Sequence, residues 1–286
     1  MIGSIHLHRF YSMLKSQINI NRFKVRKGEH LLQSDPIAVE EPLQISLSRG
    51  ELQEIFSITL RTPGNDQNLA FGLLFSEGVI TSAADIESFA LERIKGEISI
   101  NLLTAKLSAS IDLDLKDNIR RHPSYSGCGL CGKTSLKALE LKQSKPTKVI
   151  QSKIDHQIVK SLQQSLAKQP LFSQTGGSHV AALIYENNGI LDINHSPFFE
   201  DVGRHNALDK LIGYELQKND LGQTGILVLS GRIGFELVQK AVMAGFSVII
   251  ALGAPSNLAI QAANQFNMTL IGFAKDDSFN LYTAKI

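Results

Sequence analysis

Two periods of hydrophobic spacing divide this chain. Leu43, Ile45 and Leu47 alternate with polar residues, the pattern of a half-buried strand. Arg49-Gly50 turns the chain, and Ile55 to Leu60 predicts a second strand. Arg61-Thr62-Pro63-Gly64-Asn65-Asp66 reads as a turn feeding a helix, with Asn65 or Asp66 as the N-cap. That helix carries Leu69, Phe71, Leu73, Leu74 and Phe75 and stops at Gly78, a natural position just past a helix end. Ser82-Ala83-Ala84-Asp85 has the form of a short capping box, and Ile98, Ile100 and Leu102 alternate again. The first half therefore mixes strands and helices in the α+β manner.

Asp112 to Ser126 is polar and hydrophobically thin, a linker into the second half. A helix with Leu136 and Leu139 on one face is expected to about Lys142. Another, near Ile154 to Ala167, shows Ile158, Leu162 and Leu166 at helical spacing and is ended by Gln169-Pro170. Val180 to Tyr185 predicts a strand turned back by Asn187-Asn188-Gly189. A helix is expected within Asp201 to Gly213. The continuous apolar runs Ile226–Leu229 and Val248–Leu252 predict buried parallel strands. Helices follow over Phe235 to Ala244 and after Pro255-Ser256, then strands over Met268 to Ala274 and Phe279 to Thr283. Such repeats imply a layered α/β sheet. The expected class is α/β: a basic extension over 1–34, a smaller α+β domain over 35–125, and an α/β domain over 126–286.

Composition changes little in this picture. With 286 residues and 43% hydrophobic content, the chain can bury one large core or two modest ones. A net charge of +2 gives no argument for nucleic acid. No apolar run reaches membrane-spanning length, and Met1 to Arg9 lacks a signal-peptide core, so a cytoplasmic location and no membrane partner are expected. Arg9, Lys15, Arg22, Lys24, Arg26 and Lys27 face only Glu29 in the first 34 residues. Such a stretch suits a nucleic-acid arm, a targeting peptide or a loosely ordered tail that reaches over the body, and the tail is expected.

Both cysteines lie in Gly127-Cys128-Gly129-Leu130-Cys131-Gly132-Lys133. Glycines leave the sulfurs uncovered, while the following helix and Lys133 favour a thiolate at Cys131. Three readings compete. A zinc knuckle needs two more ligands, and none of His179, His195 and His205 has a close partner at finger-like spacing. Gly127 to Thr134 matches a phosphate-binding loop letter for letter, but the charged, proline-ended segment before it is no buried strand. A disulfide relay or a persulfide carrier fits the mobile loop and activated thiol. No metal is expected.

In layered sheets ligands gather at the carboxyl ends of the strands. Ser230-Gly231-Arg232, Ala254-Pro255-Ser256 and Lys275 occupy those ends, the first two before helices whose amides can hold an anion. No G-x-G-x-x-G follows any strand. Thr175-Gly176-Gly177-Ser178-His179 reads equally as a ligand-facing loop or a plain strand entry. Glu200-Asp201-Val202-Gly203-Arg204-His205-Asn206 packs two acids, Arg, His and Asn into seven residues. Arg204 and His205 together favour function over a bare helix start, and the mixed charge suits a polar heterocycle better than a cation.

Together these segments resemble the formate dehydrogenase accessory sulfurtransferases, the FdhD family. The resemblance rests on Arg61–Asp66, Leu74–Ile80, Cys128-x-x-Cys131, Thr175–His179, Glu200–Asn206, Ser230–Arg232 and Gly272-Phe273, in order. It implies a carrier that takes sulfur from a cysteine desulfurase and passes it to the molybdenum cofactor, in its bis-molybdopterin guanine dinucleotide form, destined for formate dehydrogenase. It places the persulfide on Cys128, with Cys131 as the assisting thiol. It places cofactor contacts, including the guanine nucleotide, on Phe273, Ala274, Lys275, Asp276, Asp277 and Ser278, beside Ser230, Gly231, Arg232, Arg204 and His205. It further implies a cytidine-deaminase-like C-terminal domain and a homodimer. The chain departs from the family at Lys275-Asp276-Asp277, where many members carry a basic residue and a glycine. A zinc deaminase, suggested by that fold, needs His-x-Glu and a later Pro-Cys-x-x-Cys, and neither order nor residues agree. The alternative that remains is a non-catalytic chaperone that binds the same cofactor.

Overall fold

A computed structural model describes residues 15–94, 97–109, 111, 124–125, 150–219, 221, 225–275 and 278–284. It begins with a hairpin of β1 (Gln17–Arg26) and β2 (Glu29–Ala38), paired antiparallel along their whole length. Lys27 and Gly28, at φ 51° and 87°, form the two-residue turn whose twist matches the flanking strands. From Gln17 onward the basic stretch is therefore a strand, and residue 34 lies inside β2. Alternation there was hard to see because both faces of the hairpin are largely exposed.

A five-stranded sheet follows, ordered β5-β6-β3-β4-β7, from β3 (Glu41–Arg49), β4 (Leu52–Arg61), β5 (Ile86–Ile94), β6 (Glu97–Leu107) and β7 (Ser124–Tyr125). Leu43, Ile45 and Leu47 are buried, as their alternation predicts. Helix α1 (Asp66–Ser76) has Asn65 at its N-cap at φ 57°, but no side chain caps it. Asp66 is drawn away to Arg61. The helix ends at Gly78, φ 72°: the Gly78 amide donates to Phe75 O and the Val79 amide to Leu74 O, both at 2.9 Å. The Ser82/Asp85 capping box is present.

The second sheet is ordered β10-β8-β11-β12-β13-β14, with β9 on the side of β8. Its strands are β8 (His179–Asn187), β9 (Ile190–Asp192), β10 (Phe198–Asp201), β11 (Gly225–Leu229), β12 (Val248–Ala251), β13 (Thr269–Lys275) and β14 (Ser278–Thr283). Only β11-β12-β13 are parallel; β8, β10 and β14 pair antiparallel. Helix α2 (His156–Ala167) starts at Asp155, whose carboxylate accepts from the Gln157 and Ile158 amides. Pro170 ends α2 and also opens α3 (Pro170–Thr175), where its missing N–H costs nothing. The helices α4 (Arg204–Gln217), α5 (Phe235–Met243) and α6 (Asn257–Gln265) complete the chain.

Side chains of the central strands divide with period two. Leu227 and Leu229 face the core shared with α4 and α5, while Ile226 and Val228 face Val159, Leu162 and Leu166 of α2. The two halves of the chain share the first of these cores: Leu47, Phe56 and Phe71 lie in one cluster with Leu208, Leu227 and Ile249. Two glycines let α1 and α4 touch backbone to backbone. A Cβ at Gly72 would lie 1.9 Å from the Asp209 carbonyl oxygen, and one at Gly213 1.9 Å from that of Asn68.

Candidate functional site

Antiparallel pairing brings the start of β8 to the same end of the sheet as the carboxyl ends of β10 and β11. His179 stands opposite Asp201, and Ala181 opposite Leu229. Backbone bonds carry the ladder beyond the strands into one floor. The Ser230 amide donates to Val180 O (3.0 Å), Gly253 N to Gly231 O (3.2 Å) and Phe273 N to Gly253 O (3.1 Å). Ser230 Oγ accepts from the Val180 amide at 2.9 Å, so it locks the floor in place. Helices α4, α5 and α6 all start at this end. Ser256 caps α6 by accepting from the Ala259 amide, whereas α4 and α5 begin at Gly203 and Gly234 without a side-chain cap. Two helix N-termini thus offer amides to an anion here.

Gly231 is the narrow point. A Cβ there would lie 2.9 Å from His179 Nδ1 and 3.8 Å from Arg204 Cδ, so the glycine lets the imidazole and the arginine close over the floor. Neither Arg204 nor Arg232 has an ion-pair partner among the described residues. Burial holds the His179 pKa below its ordinary value, and Arg204 pushes it the same way. His205 is pushed down to about 3, by burial first and then by Lys240 and Arg204. Both rings are therefore neutral near pH 7. His205 Nε2 lies 3.1 Å from Glu236 Oε2 on α5.

Phe273 sits at the far side of the floor with φ 52° and 45% of its surface exposed. A bulky residue in the left-handed region costs about 1–3 kcal/mol, and such strain concentrates where function requires it. A Cβ at the neighbouring Gly272 would lie 2.8 Å from Pro255 Cδ, and the β13–β14 register shifts between Gly272 and Lys275. At this irregularity the Phe273 side chain is exposed. Lys275 and Ser278 are also exposed, while Ala274 is fully buried in the core and offers a ligand no side-chain surface. Asp276 and Asp277 lie outside the described residues, as do Cys128, Cys131 and the whole loop around them.

The acidic and basic block at 200–206 divides by role. Glu200 caps α3, accepting from the Leu171 and Phe172 amides at 3.1 and 2.6 Å. Asp201 is fully buried; it accepts from the Thr62 amide, the Gly203 amide, Asn206 Nδ2 and Lys210 Nζ. Asn206 Nδ2 also donates to Leu60 O at 2.7 Å. Asp201 and Asn206 fasten the Leu60–Thr62 segment of the first half onto α4, Glu200 ties β10 to α3, and Arg204 is the residue of the block that closes over Gly231. Thr62 and Lys210 complete the fastening and were not singled out from sequence; the sole signal was that Thr62 stands in a distinctive turn. No cluster of potential metal ligands occurs among the described residues.

Residues 38–286 match the profile of the FdhD/NarQ family. The chain belongs to this family. It is 38% identical over 268 residues to the sulfur carrier protein FdhD of Streptomyces coelicolor, covering 91% of each chain. It is equally 38% identical over 262 residues to the protein of that name from Sulfolobus acidocaldarius, covering 91% of this chain and 94% of the other. Its fold is similar to the crystal structure of a Desulfotalea psychrophila protein assigned as a formate dehydrogenase accessory protein. That similarity has a TM-score of 0.67 and 22% identity, with 94% of this chain and 98% of the other covered. The α/β class thus agrees with a solved fold. No helix among the described residues is long and apolar enough to cross a membrane.

Proposed function

We propose that the chain is a sulfur carrier for formate dehydrogenase maturation, with the strand-end floor as the place where it holds the molybdenum cofactor as cargo. The observation that carries this reading is the floor itself: two arginines without an ion-pair partner among the described residues, two helix N-termini without a side-chain cap and an exposed aromatic ring at one end of the sheet. Such a surface suits a large anion bearing a flat heterocycle. Membership of the FdhD/NarQ family supports the sulfur chemistry. The Cys128 thiolate attacks the terminal sulfur of a persulfide on a cysteine desulfurase, and the desulfurase cysteine leaves as a thiolate. Delivery of that sulfur at the sulfide level requires two electrons. Cys131 supplies them by closing a disulfide with Cys128, which an external thiol later reduces.

The test is mass spectrometry after incubation with a desulfurase and cysteine. Cys128→Ala is expected to gain no sulfur and to give inactive formate dehydrogenase in a deletion strain; Cys131→Ala is expected to keep part of the label. The reverse pattern assigns the carrier to Cys131. Full formate dehydrogenase activity from the double Cys-to-Ala protein refutes the carrier and leaves the cofactor-binding chaperone.

A further inference from the structure

Exposed large hydrophobic side chains concentrate in two places. Of fourteen among the described residues, seven lie on the β1–β2 hairpin and four on β4. Clusters of this kind mark surfaces that meet a partner. The register of the hairpin sorts its distal half into two faces. Phe23 stands opposite Leu32 and Val25 opposite His30, so these four share one face; Phe23, Val25 and Leu32 are 64%, 59% and 64% exposed. Arg22, Lys24 and Arg26 share the other, opposite Asp35, Leu31 and Glu29. One apolar and one charged face is the pattern of a strand pair half-buried on a core. The described residues supply no such core. The hairpin is held at its base, where Gln17 Nε2 donates to Gln174 Oε1 of α3 at 2.7 Å and the Val39 amide donates to Ser16 O. A two-stranded pair standing alone is marginal in water.

The five-stranded sheet carries a matching surface. Leu43 and Ile45 of β3 are buried on its inner face. Ile55, Ile58 and Leu60 of β4 stand opposite Ser46, Gln44 and Pro42 on the outer face, exposed by 50%, 46% and 45%. Glu51, Glu54 and Glu92 gather at the turn end of this stripe, where Glu92 accepts from Gln53 Nε2 at 2.6 Å. None of these acids has an ion-pair partner among the described residues, and neither do Lys24, Arg26 and Lys27 of the hairpin. We propose that the hairpin of one copy lays its Phe23–Val25–Leu32 face on the Ile55–Ile58–Leu60 stripe of a second copy, and that the second copy returns the contact. The inference stands apart from the sulfur-carrier reading. Two sheets packed face to face bury both stripes in one layer. With Phe23 over Ile58, Lys27 lies about 13 Å further along the strand, at the end where Glu51 and Glu92 stand. Opposite charge thus sets the direction of the strands. Lys24 and Arg26 stay on the solvent side and guard the open strand edges against adding further chains. Within one chain the two stripes stay apart: both are exposed while the base of the hairpin is tied to α3.

Sedimentation equilibrium of the full-length chain tests this contact. The wild type is expected to exchange between monomer and dimer with concentration. Phe23→Asp, on the hairpin face, and Ile58→Asp, on the receiving stripe, are each expected to weaken the dimer at least about tenfold. Both positions are exposed, and thermal melts check that each variant is folded. An equimolar mixture of the two variants is expected to pair better than either alone, because the mixed pair keeps one undamaged contact. A wild type that stays monomeric refutes the proposal, as do variants that both dimerise like the wild type. Loss of the dimer in Phe23→Asp alone would show hairpin against hairpin, and loss in Ile58→Asp alone β4 against β4; either result overturns the exchange. So does a mixture that pairs no better than its components.

Discussion

Lys210→Met is expected to destabilise the protein by about 3–5 kcal/mol, the cost of leaving a buried carboxylate without its cation. Lys210 is 1% exposed and Asp201 fully buried; the Nζ lies 2.7 Å from Asp201 Oδ2. The same ammonium donates to Thr62 O at 2.9 Å and Glu200 O at 3.3 Å, so two buried carbonyls lose a partner too. Methionine fills most of the stem volume, and the cavity contribution is small by comparison. Three N–H donors remain on Asp201, from Thr62, Gly203 and Asn206, which is why the upper end of the range is not exceeded. Urea unfolding at pH 7, with the slope unchanged, measures the loss. A cycle with Asp201→Asn is expected to show strong coupling, the double variant costing less than the sum of the singles. A loss below about 1 kcal/mol, or strict additivity, would refute the claim that this pair fastens the two halves of the chain.

Gly213→Ala is expected to cost more than the exposed-helix propensity change can return, because its Cβ would meet the Asn68 carbonyl at 1.9 Å and force α1 from α4; an unaltered melting temperature would show that the helix contact is not close. Stability is also expected to fall as pH drops from about 6.5 towards 5. His205 has a folded-state pKa of about 3, below its unfolded value, so the unfolded chain binds the extra proton in this window. The slope contributed by one such group approaches about 1.4 kcal/mol per pH unit at most. His179 is shifted the same way and adds to it. His205→Gln removes its share, and a slope identical to the wild type's would place the dependence elsewhere.

Much of the molecule was legible in the residues because its signals are local. The Leu43–Leu47 alternation, the Ser82/Asp85 capping box and the Asn188-Gly189 turn, at φ 52° and 78°, are each decided by a few neighbouring residues. The apolar runs at 226–229 and 248–251 announced central strands because a strand buried on both faces must be apolar throughout. Strand β10 was missed, since four residues acquire strand pairing only from β8 beside them. The hairpin of β1 and β2 escaped for the opposite reason: it buries little on either face, and its short alternations, Ile18/Ile20 and Phe23/Val25, do not keep one register.

The site divides along the same line. Sequence alone brought Arg204, His205, Ser230, Gly231 and Arg232 forward as candidates, because such residues at strand ends and helix starts have few local explanations; Phe273 came forward only through the family resemblance. It could not tell that Glu200, Asp201 and Asn206, in the same seven-residue block, bind the protein to itself. For Asp201 and Asn206 that depends on Thr62 and Leu60, some 140 residues away in the chain, coming within hydrogen-bond reach; for Glu200 it depends on the Leu171 and Phe172 amides at the start of α3. Nor could it show that Ala274 is buried while its neighbour Phe273 faces outward, which follows from one bulge in β13. Residue chemistry determines what a side chain can bind; only the register of distant segments decides whether its partner is already inside the protein.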